Sequence, residues 1–321
     1  MSFEISAVPA AHTAAVGPAA SADPAQNAGV LYLLTLGTKQ SREKVKRLLN
    51  AVAQEFGYAN LAECEWGKMR AVHILAKKAK MEQEGKAPAT INLLVSVLKG
   101  VAKQAWSLDQ MSDHDKAVIL SLKGARGSRA SASEGRALEP NESSKLFGSC
   151  DIDTTHGLRD ALVIALGIAS GLRRTEIASI QIKDLDEDAG LIRVIGKGNK
   201  LRNIYPSETV WSLIRRWRII RGEGGCSNLF CAIRKGDHLI TAKPISGNSV
   251  YQILRRRGTE AGVRNFTPHD MRRTFATRMF ESGADINIVR KALGHSSILT
   301  TQRYDKRGEE QVRNFATQIK V

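Results

Sequence analysis

The sequence predicts a mainly α-helical protein of two domains: a helical-bundle N-terminal domain and a mostly helical second domain with one small antiparallel β-sheet. Three observations predict it. Residues from about 38 to 123 repeat their apolar side chains with a helical period. A Gly-, Ser- and Arg-rich stretch without periodicity follows at 124–140. Beyond it, two short β-rich runs flank a five-residue turn in an otherwise helical pattern. At 321 residues the chain is long enough for two cores.

Each element has its own signal. Residues 1–30 contain no Lys or Arg, are rich in Ala and Pro, and lack an apolar core. They read as a disordered tail, not as a secretory signal or an Arg-rich transit peptide. SREKVKRLLNAVAQEF begins at Ser41, a candidate N-cap, and places Val45, Leu48, Leu49 and Val52 on one face. Pro88 and Thr90 open another helix, with Ile91, Leu94, Val95 and Leu98 as its stripe. Four or five such helices form a bundle over 31–123. Residues 124–140 read as a basic flexible linker, and helices resume near Asn141. LIRVI (191–195) and LRNIY (201–205) around GKGNK predict a hairpin. From Pro206 onward the pattern is mostly helical, and there is no internal repeat.

Charge narrows the partners. The chain carries 48 Lys+Arg against 32 Asp+Glu, a net +16, which argues for a polyanion, most simply nucleic acid; ribosomal or membrane-surface binding would explain the charge as well. Four sparse cysteines, Cys64, Cys150, Cys226 and Cys231, complete no zinc set and read as buried free thiols of a reducing compartment. The longest apolar run, from Ala161, is shorter than the ~18 residues that signal a membrane span. DLDEDAG opens like a calcium loop, but Ala189 replaces the required Gly and Ile195 the closing Glu, leaving a turn before the hairpin.

Six polar residues of the second domain carry candidate chemistry. Arg173 sits at a break after the apolar helix 158–170, where its planar fork suits phosphate oxygens; pairing with Glu176 is the alternative. Lys197, between two glycines at the hairpin tip, can reach a ligand as a general acid. Thr267 as N-cap, Pro268 at the first helical position and Asp270 in a capping box place His269 and Arg272 on one face at a helix start. That end of a helix favours phosphate. His295 follows Gly294, a helix C-cap. Tyr304 is a phenol that becomes a nucleophile only with a base or cation beside it.

In this order and spacing the residues resemble the tyrosine recombinase (phage-type integrase) family from roughly Lys99 to Val321, most tightly from Ile168 to Tyr304. GLRRTEI resembles the box of the first catalytic arginine, Arg173, and GKGNKLRNIYP the β-hairpin that carries the lysine, Lys197. PHDMRRTFAT is similar to the box that holds His269 and Arg272. LGHSSILTTQRY resembles the closing box with His295 and the nucleophile Tyr304. Two departures stand out: Arg273 where many members have His, and Arg174 where many have an apolar or small residue. Residues 1–30 do not look like a folded arm-binding domain, which argues for a two-domain member.

The resemblance implies a core-type DNA-binding domain at 31–123 and a catalytic domain at 141–321. It implies attack of Tyr304 on a phosphodiester, a 3′-phosphotyrosyl link and a free 5′-hydroxyl. Arg173, Arg272 and His295 would stabilise the phosphorane, His269 would assist the tyrosine, and Lys197 would protonate the leaving oxygen. No cofactor or metal is expected. The implied partners are double-stranded DNA, three further copies of the chain, and accessory DNA-bending or recombination proteins, in a bacterial cytoplasm near the nucleoid. Lys200, Arg202, Arg255 and Arg256 are expected along the DNA backbone; three consecutive helical residues cannot all face it, so Arg257 is left out. Arg215, Arg216, Arg218 and Arg221 read as a solvated face. Val312, Phe315, Ala316 and Ile319 form an apolar stripe on a short helix at about 308–320, which the resemblance assigns to docking on a neighbouring protomer; packing on its own domain is the alternative. A type IB topoisomerase or a non-catalytic DNA-binding regulator are the alternatives.

Overall fold

The computed structural model describes residues 23–127, 135–196, 198–264 and 266–305, together with Gly308 and Thr317. The chain divides into two compact units, Met1–Ser131 and Ala132–Val321. Among the described residues no helix is long and apolar enough to cross a membrane.

Among the described residues the first unit contains five α-helices: α1 (Ala28–Leu34), α2 (Lys39–Glu55), α3 (Ala71–Gln83), α4 (Pro88–Ser107) and α5 (Asp113–Ser121). Helix α4 is its axis, because its buried residues surround it: Ile91, Leu94, Val95, Val97, Leu98, Val101, Ala102 and Ala105. Each fully buried Ile or Leu of such a helix contributes roughly 1.5–3 kcal/mol. Two expectations are corrected. The tail does not reach residue 30: Asn27 caps α1 by accepting the Val30 N–H at 3.0 Å and donates to Ala62 O at 2.8 Å, and Ala28 is buried. Helix α2 is capped by Thr38, whose hydroxyl accepts the Ser41 N–H; Ser41 lies one turn inside. Thr38 is extended and can aim its oxygen at the open amides, a geometry that the residue type at 41 does not reveal.

The second unit contains α6 (Pro140–Gly148), α7 (Thr155–Ser170), α8 (Arg174–Ser179), α9 (Glu208–Arg221), α10 (Gly247–Glu260), α11 (Pro268–Glu281), α12 (Ile286–Leu293) and α13 (Ile298–Gln302). Strands β1 (Leu185–Asp186), β2 (Leu191–Ile195) and β3 (Leu201–Ile204) form an antiparallel sheet in that order. Ile192 pairs with Ile204 and Val194 with Arg202; the three apolar members of these pairs are buried. DLDEDAG therefore supplies β1 and the turn into β2, rather than a turn alone. A second hairpin, β4 (Cys231–Arg234) with β5 (His238–Pro244), corrects the expectation of helix after Pro206. Its turn holds Gly236 and Asp237 at positive φ, and Asp237 accepts the Thr155 and His156 N–H groups at the start of α7.

The ends of the expected linker are packed. Asn92 accepts the Ala125 N–H at 2.7 Å, and on the far side Leu138 is buried and donates its N–H to Thr274 Oγ1 at 2.8 Å. The central part, residues 128–134, lies outside the described residues.

Helix α7 is the hub of this unit, packed by α6, α9, α10 and α11. A smaller cluster of Ala276, Phe280, Val289, Leu293 and Tyr304 joins α11 to α12 and to the end of the chain segment that carries the tyrosine.

Candidate functional site

Helix α7 ends at Gly171, in the left-handed region at φ 60°. A Cβ there would run into Phe275 Cδ1 and lie 3.0 Å from Leu293 Cδ2, so only glycine fits the crossing with α11 and α12. The chain then extends through Leu172 and Arg173 and re-enters helix at α8. The Arg173 N–H donates to Glu176 Oε2 at 2.8 Å, which closes the first turn, and its Nη1 donates to Oε1 at 2.7 Å. Glu176 is buried and also receives both guanidinium nitrogens of Arg202, at 3.0 and 2.9 Å. Burial alone would raise the Glu176 carboxyl, but hydrogen bonds from Arg202 and Arg173 hold it below the usual carboxylate range. The pairing of Arg173 with Glu176 is thus present, and it aims the arginine.

Arg272 is 1% exposed. Its Nη1 donates to Gly171 O at 2.6 Å and its Nη2 to Leu293 O. Burial, then the neighbouring Arg173, push the guanidinium down to about 9, so it stays charged at neutral pH. Thr267 is the N-cap residue of α11, and Asp270 Oδ2 accepts from both its N–H at 2.8 Å and its hydroxyl at 2.7 Å. Pro268 takes the first helical position, as its fixed φ favours.

Tyr304 is 5% exposed, and its Oη lies 3.1 Å from His269 Nε2. The phenol donates to that nitrogen in the tautomer protonated at Nδ1. Burial first, then Arg273 and Arg272, hold the His269 imidazolium below its ordinary range, which leaves a neutral ring able to accept a proton. His295 follows Gly294, the left-handed cap of α12 at φ 65°. Its Nδ1 lies 2.9 Å from the buried Thr301 hydroxyl, and burial with Arg272 and Arg173 lowers it to about 4. A neutral ring that accepts from Thr301 at Nδ1 presents Nε2–H as a donor. Arg273 Cζ lies 5.5 Å from the Tyr304 ring centre.

Arg173, Arg272 and His269 line one cleft of about 440 Å³ with Arg174, Thr175, Tyr251, Thr267 and Pro268. Arg174 lies over the Tyr251 ring at 5.5 Å. The helix N-terminus of α11 adds its own field to this cationic surface. Such a cleft suits a phosphodiester.

The structure brings together Arg173, His269, Arg272, His295 and Tyr304; Lys197 lies outside the described residues. Its flanks close as expected of a hairpin tip, with the Gly196 N–H donating to Lys200 O at 2.8 Å. Of the four backbone-tracking cations, Lys200 and Arg255 are exposed. Arg202 is corrected: it is committed to Glu176 and to Ala292 O, tying β3 to α8 and α12. Arg256 pairs with Asp160 and Glu260 while nearly half exposed, and Arg257 is buried on Asp160. Arg221 leaves the expected solvated face: at 2% exposure it donates to Asn228 O and Gly222 O and orders the loop after α9. Cys226 is only half-buried, with its Sγ 3.6 Å from that of buried Cys231. Val312, Phe315, Ala316 and Ile319 lie outside the described residues. Sequence reasoning missed Glu176 as an organiser, since its link to Arg202 spans 26 positions.

Comparison with known proteins adds an independent line. The phage integrase family profile matches residues 136–310. Tyrosine recombinase XerD of Staphylococcus epidermidis is 33% identical over 184 residues, 57% of this chain and 61% of that protein; the match spans about three-fifths of the relative's length. XerD of Listeria monocytogenes is 30% identical over 235 residues, 72% and 76% of the two chains. Among solved structures, the Tn1549 transposon integrase in complex with transposon right end DNA aligns with a TM-score of 0.67 at 18% identity, over 92% of this chain and 98% of that one. XerH site-specific recombinase bound to a palindromic difH substrate gives 0.65 at 20%, over 92% and 97%. At these identities the structural likeness is one of fold.

Proposed function

Because the chain belongs to the phage integrase family, we propose that it is a site-specific DNA recombinase that cuts and rejoins duplex DNA through Tyr304. The observation that carries this reading is the 3.1 Å approach of Tyr304 Oη to a neutral His269 Nε2, with the buried Arg272 on the same helix.

The step balances within the chain and its substrate. Tyr304 Oη forms a bond to phosphorus and passes its proton to His269. The bond from phosphorus to the 5′-oxygen breaks, and that oxygen takes a proton, a role for Lys197. Arg173, Arg272 and the His295 Nε2–H donate to the oxygens that gain charge in the phosphorane. These donors are held by Glu176, Gly171 O, Leu293 O and Thr301, so little reorganisation is needed as charge develops. The 3′-phosphotyrosyl ester replaces one phosphodiester with another, and a 5′-hydroxyl from a partner strand can reverse it.

Double-stranded DNA is the substrate on this reading, and four copies act on it. An apolar groove of about 600 Å³, lined by Phe275, Met279, Ile288 and Ala292 with Tyr205 at its side, supports the assembly. The stripe of Val312, Phe315, Ala316 and Ile319 from a neighbouring copy is its proposed occupant. Accessory DNA-bending proteins and a place on the bacterial nucleoid belong to the same reading.

The test is a denaturing gel of the chain with supercoiled plasmid that carries the DNA flanking its own gene, in EDTA. A covalent protein–DNA band that disappears in Tyr304→Phe, with binding retained, supports the proposal. A band that persists in Tyr304→Phe refutes the nucleophile. Relaxation without exchange between two sites indicates the topoisomerase alternative, and tight binding without any band the regulator.

A further inference from the structure

Arg273 has no role in the step above, yet it is built into the site. His269, Arg272 and Arg273 fall at positions i, i+3 and i+4 of α11, which puts all three on one helical face. The Arg273 guanidinium sits 5.5 Å from the Tyr304 ring centre, within the range at which a cation is attracted to an aromatic face. Among the described residues its Nε is buried without a hydrogen-bond partner, and so is Asp270 Oδ1. The backbone of Gly135 closes over both: a Cβ there would lie 2.5 Å from Asp270 Oδ1 and 3.0 Å from Arg273 Nε. Among the described residues this half-buried arginine has no partner at Nε and no ion pair, and it faces a phenol.

We propose that Arg273 is a positioning residue for the nucleophile: its guanidinium, seated against the Tyr304 ring on the face that carries His269, fixes phenol and imidazole as a donor–acceptor pair. This deepens the recombinase reading and rests on it. A histidine in place of Arg273 would be charged for only part of the neutral range, whereas an arginine is a permanent cation.

Two consequences separate this role from simple packing. A permanent cation beside the ring attracts the negative charge that the phenol oxygen develops as its proton leaves. The same cation opposes protonation of His269, and so keeps the imidazole available as acceptor at lower pH. Among the described residues, the charged and titratable groups that face His269 are Arg272, Arg273 and Asp270 on α11, Arg173 ahead of α8, and His295 and Tyr304 beyond α12. Asp270 is the one group of that set that favours the imidazolium, and burial is the largest influence on the other side.

The experiment is a histidine NMR titration of the full chain without DNA, with the His269 resonance assigned by its loss in His269→Gln. The unsubstituted chain is compared with Arg273→Gln and Arg273→Lys, each checked for an unchanged fold by thermal melting. The His269 midpoint should rise in Arg273→Gln and stay near its original place in Arg273→Lys, which keeps the charge. An unmoved midpoint in a folded Arg273→Gln overturns the proposal; if Gln does not fold, Arg273→Met takes its place with the same criterion. In the plasmid assay, the acid limb of covalent adduct formation should move upward in Arg273→Gln, with at least a tenfold loss below neutral pH and a smaller loss above it. A loss uniform across pH also overturns the proposal. Failure of the unsubstituted chain to form any adduct counts against the recombinase reading, and the DNA-free titration then decides the role of Arg273 alone.

Discussion

Glu176 and Arg202 form a two-pronged ion pair, Nη1 to Oε1 at 3.0 Å and Nη2 to Oε2 at 2.9 Å, between the first turn of α8 and the strand that leaves the hairpin tip. The same carboxylate holds Arg173 by backbone and side chain, so one buried anion sets the arginine proposed to bind phosphate and anchors β3. Removal of that anion leaves two guanidinium groups uncompensated, one of them nearly buried. Glu176→Ala should therefore cost about 3–5 kcal/mol of stability, the range for breaking a buried pair from one side. Urea denaturation measures it, and a loss below about 1 kcal/mol would show that the pair is solvated.

A different outcome is expected on the hairpin itself. Arg202 is occupied by Glu176 and Ala292 O, whereas Lys200 and Arg255 are exposed. On nonspecific duplex DNA, Lys200→Ala and Arg255→Ala should each lower the slope of log affinity against log salt by about one. Arg202→Ala should lower the melting temperature and leave that slope unchanged in protein that remains folded. Filter binding between low and moderate salt distinguishes the two behaviours.

His295 supplies a pH dependence whose sign is fixed by its surroundings. Burial and the charges of Arg272 and Arg173 bring it from 6.5 to about 4 in the folded chain. Between those values the unfolded chain binds the proton and the folded one does not, so stability rises with pH across that window. The contribution is complete above pH 6.5 and is lost as pH falls toward 4, on the order of 3 kcal/mol in all. His295→Gln should flatten this limb in urea melts taken at successive pH values. A wild-type slope that survives the substitution would assign the titration to another group.

What could be read from the sequence was local. The Thr267–Asp270 capping box, Pro268 at the start of α11 and the left-handed Gly294 are each specified by residues within three or four positions, and the structure has all of them. The GKGNK hairpin is local too, since glycine and asparagine at positive φ make its turn. Arg202 and Arg221 differ from expectation because nothing in the residue types beside them marks their partners. Their partners are a carboxylate 26 positions back and a set of loop carbonyls that only the folded chain presents. The β4–β5 hairpin is hard to read although Lys235-Gly236-Asp237 is a turn signal, because its flanking runs mix charged and apolar residues without clean alternation. The Arg273–Tyr304 contact joins two motifs that are legible separately, and nothing in either announces the other.

Gly171 links stability to chemistry, and a single methyl group tests the link. Its φ of 60° disfavours any residue with a Cβ, by about 1–2 kcal/mol. An added Cβ would also press on Phe275 and lie 3.0 Å from Leu293, a strain of roughly 1–3 kcal/mol in a packed core. Gly171→Ala should therefore destabilise the second unit by about 2–5 kcal/mol. The activity should suffer beyond that loss, because Gly171 O and Leu293 O are the two acceptors that orient Arg272. Relief of the clash must move one of them. If Arg272 donates to phosphate as proposed, a shift on the order of 1 Å in its position can cost about a hundredfold in rate. Adduct formation measured at a temperature where Gly171→Ala is fully folded should thus fall by roughly that factor. Full activity in the folded variant would mean that Arg272 is oriented by something other than these two carbonyls.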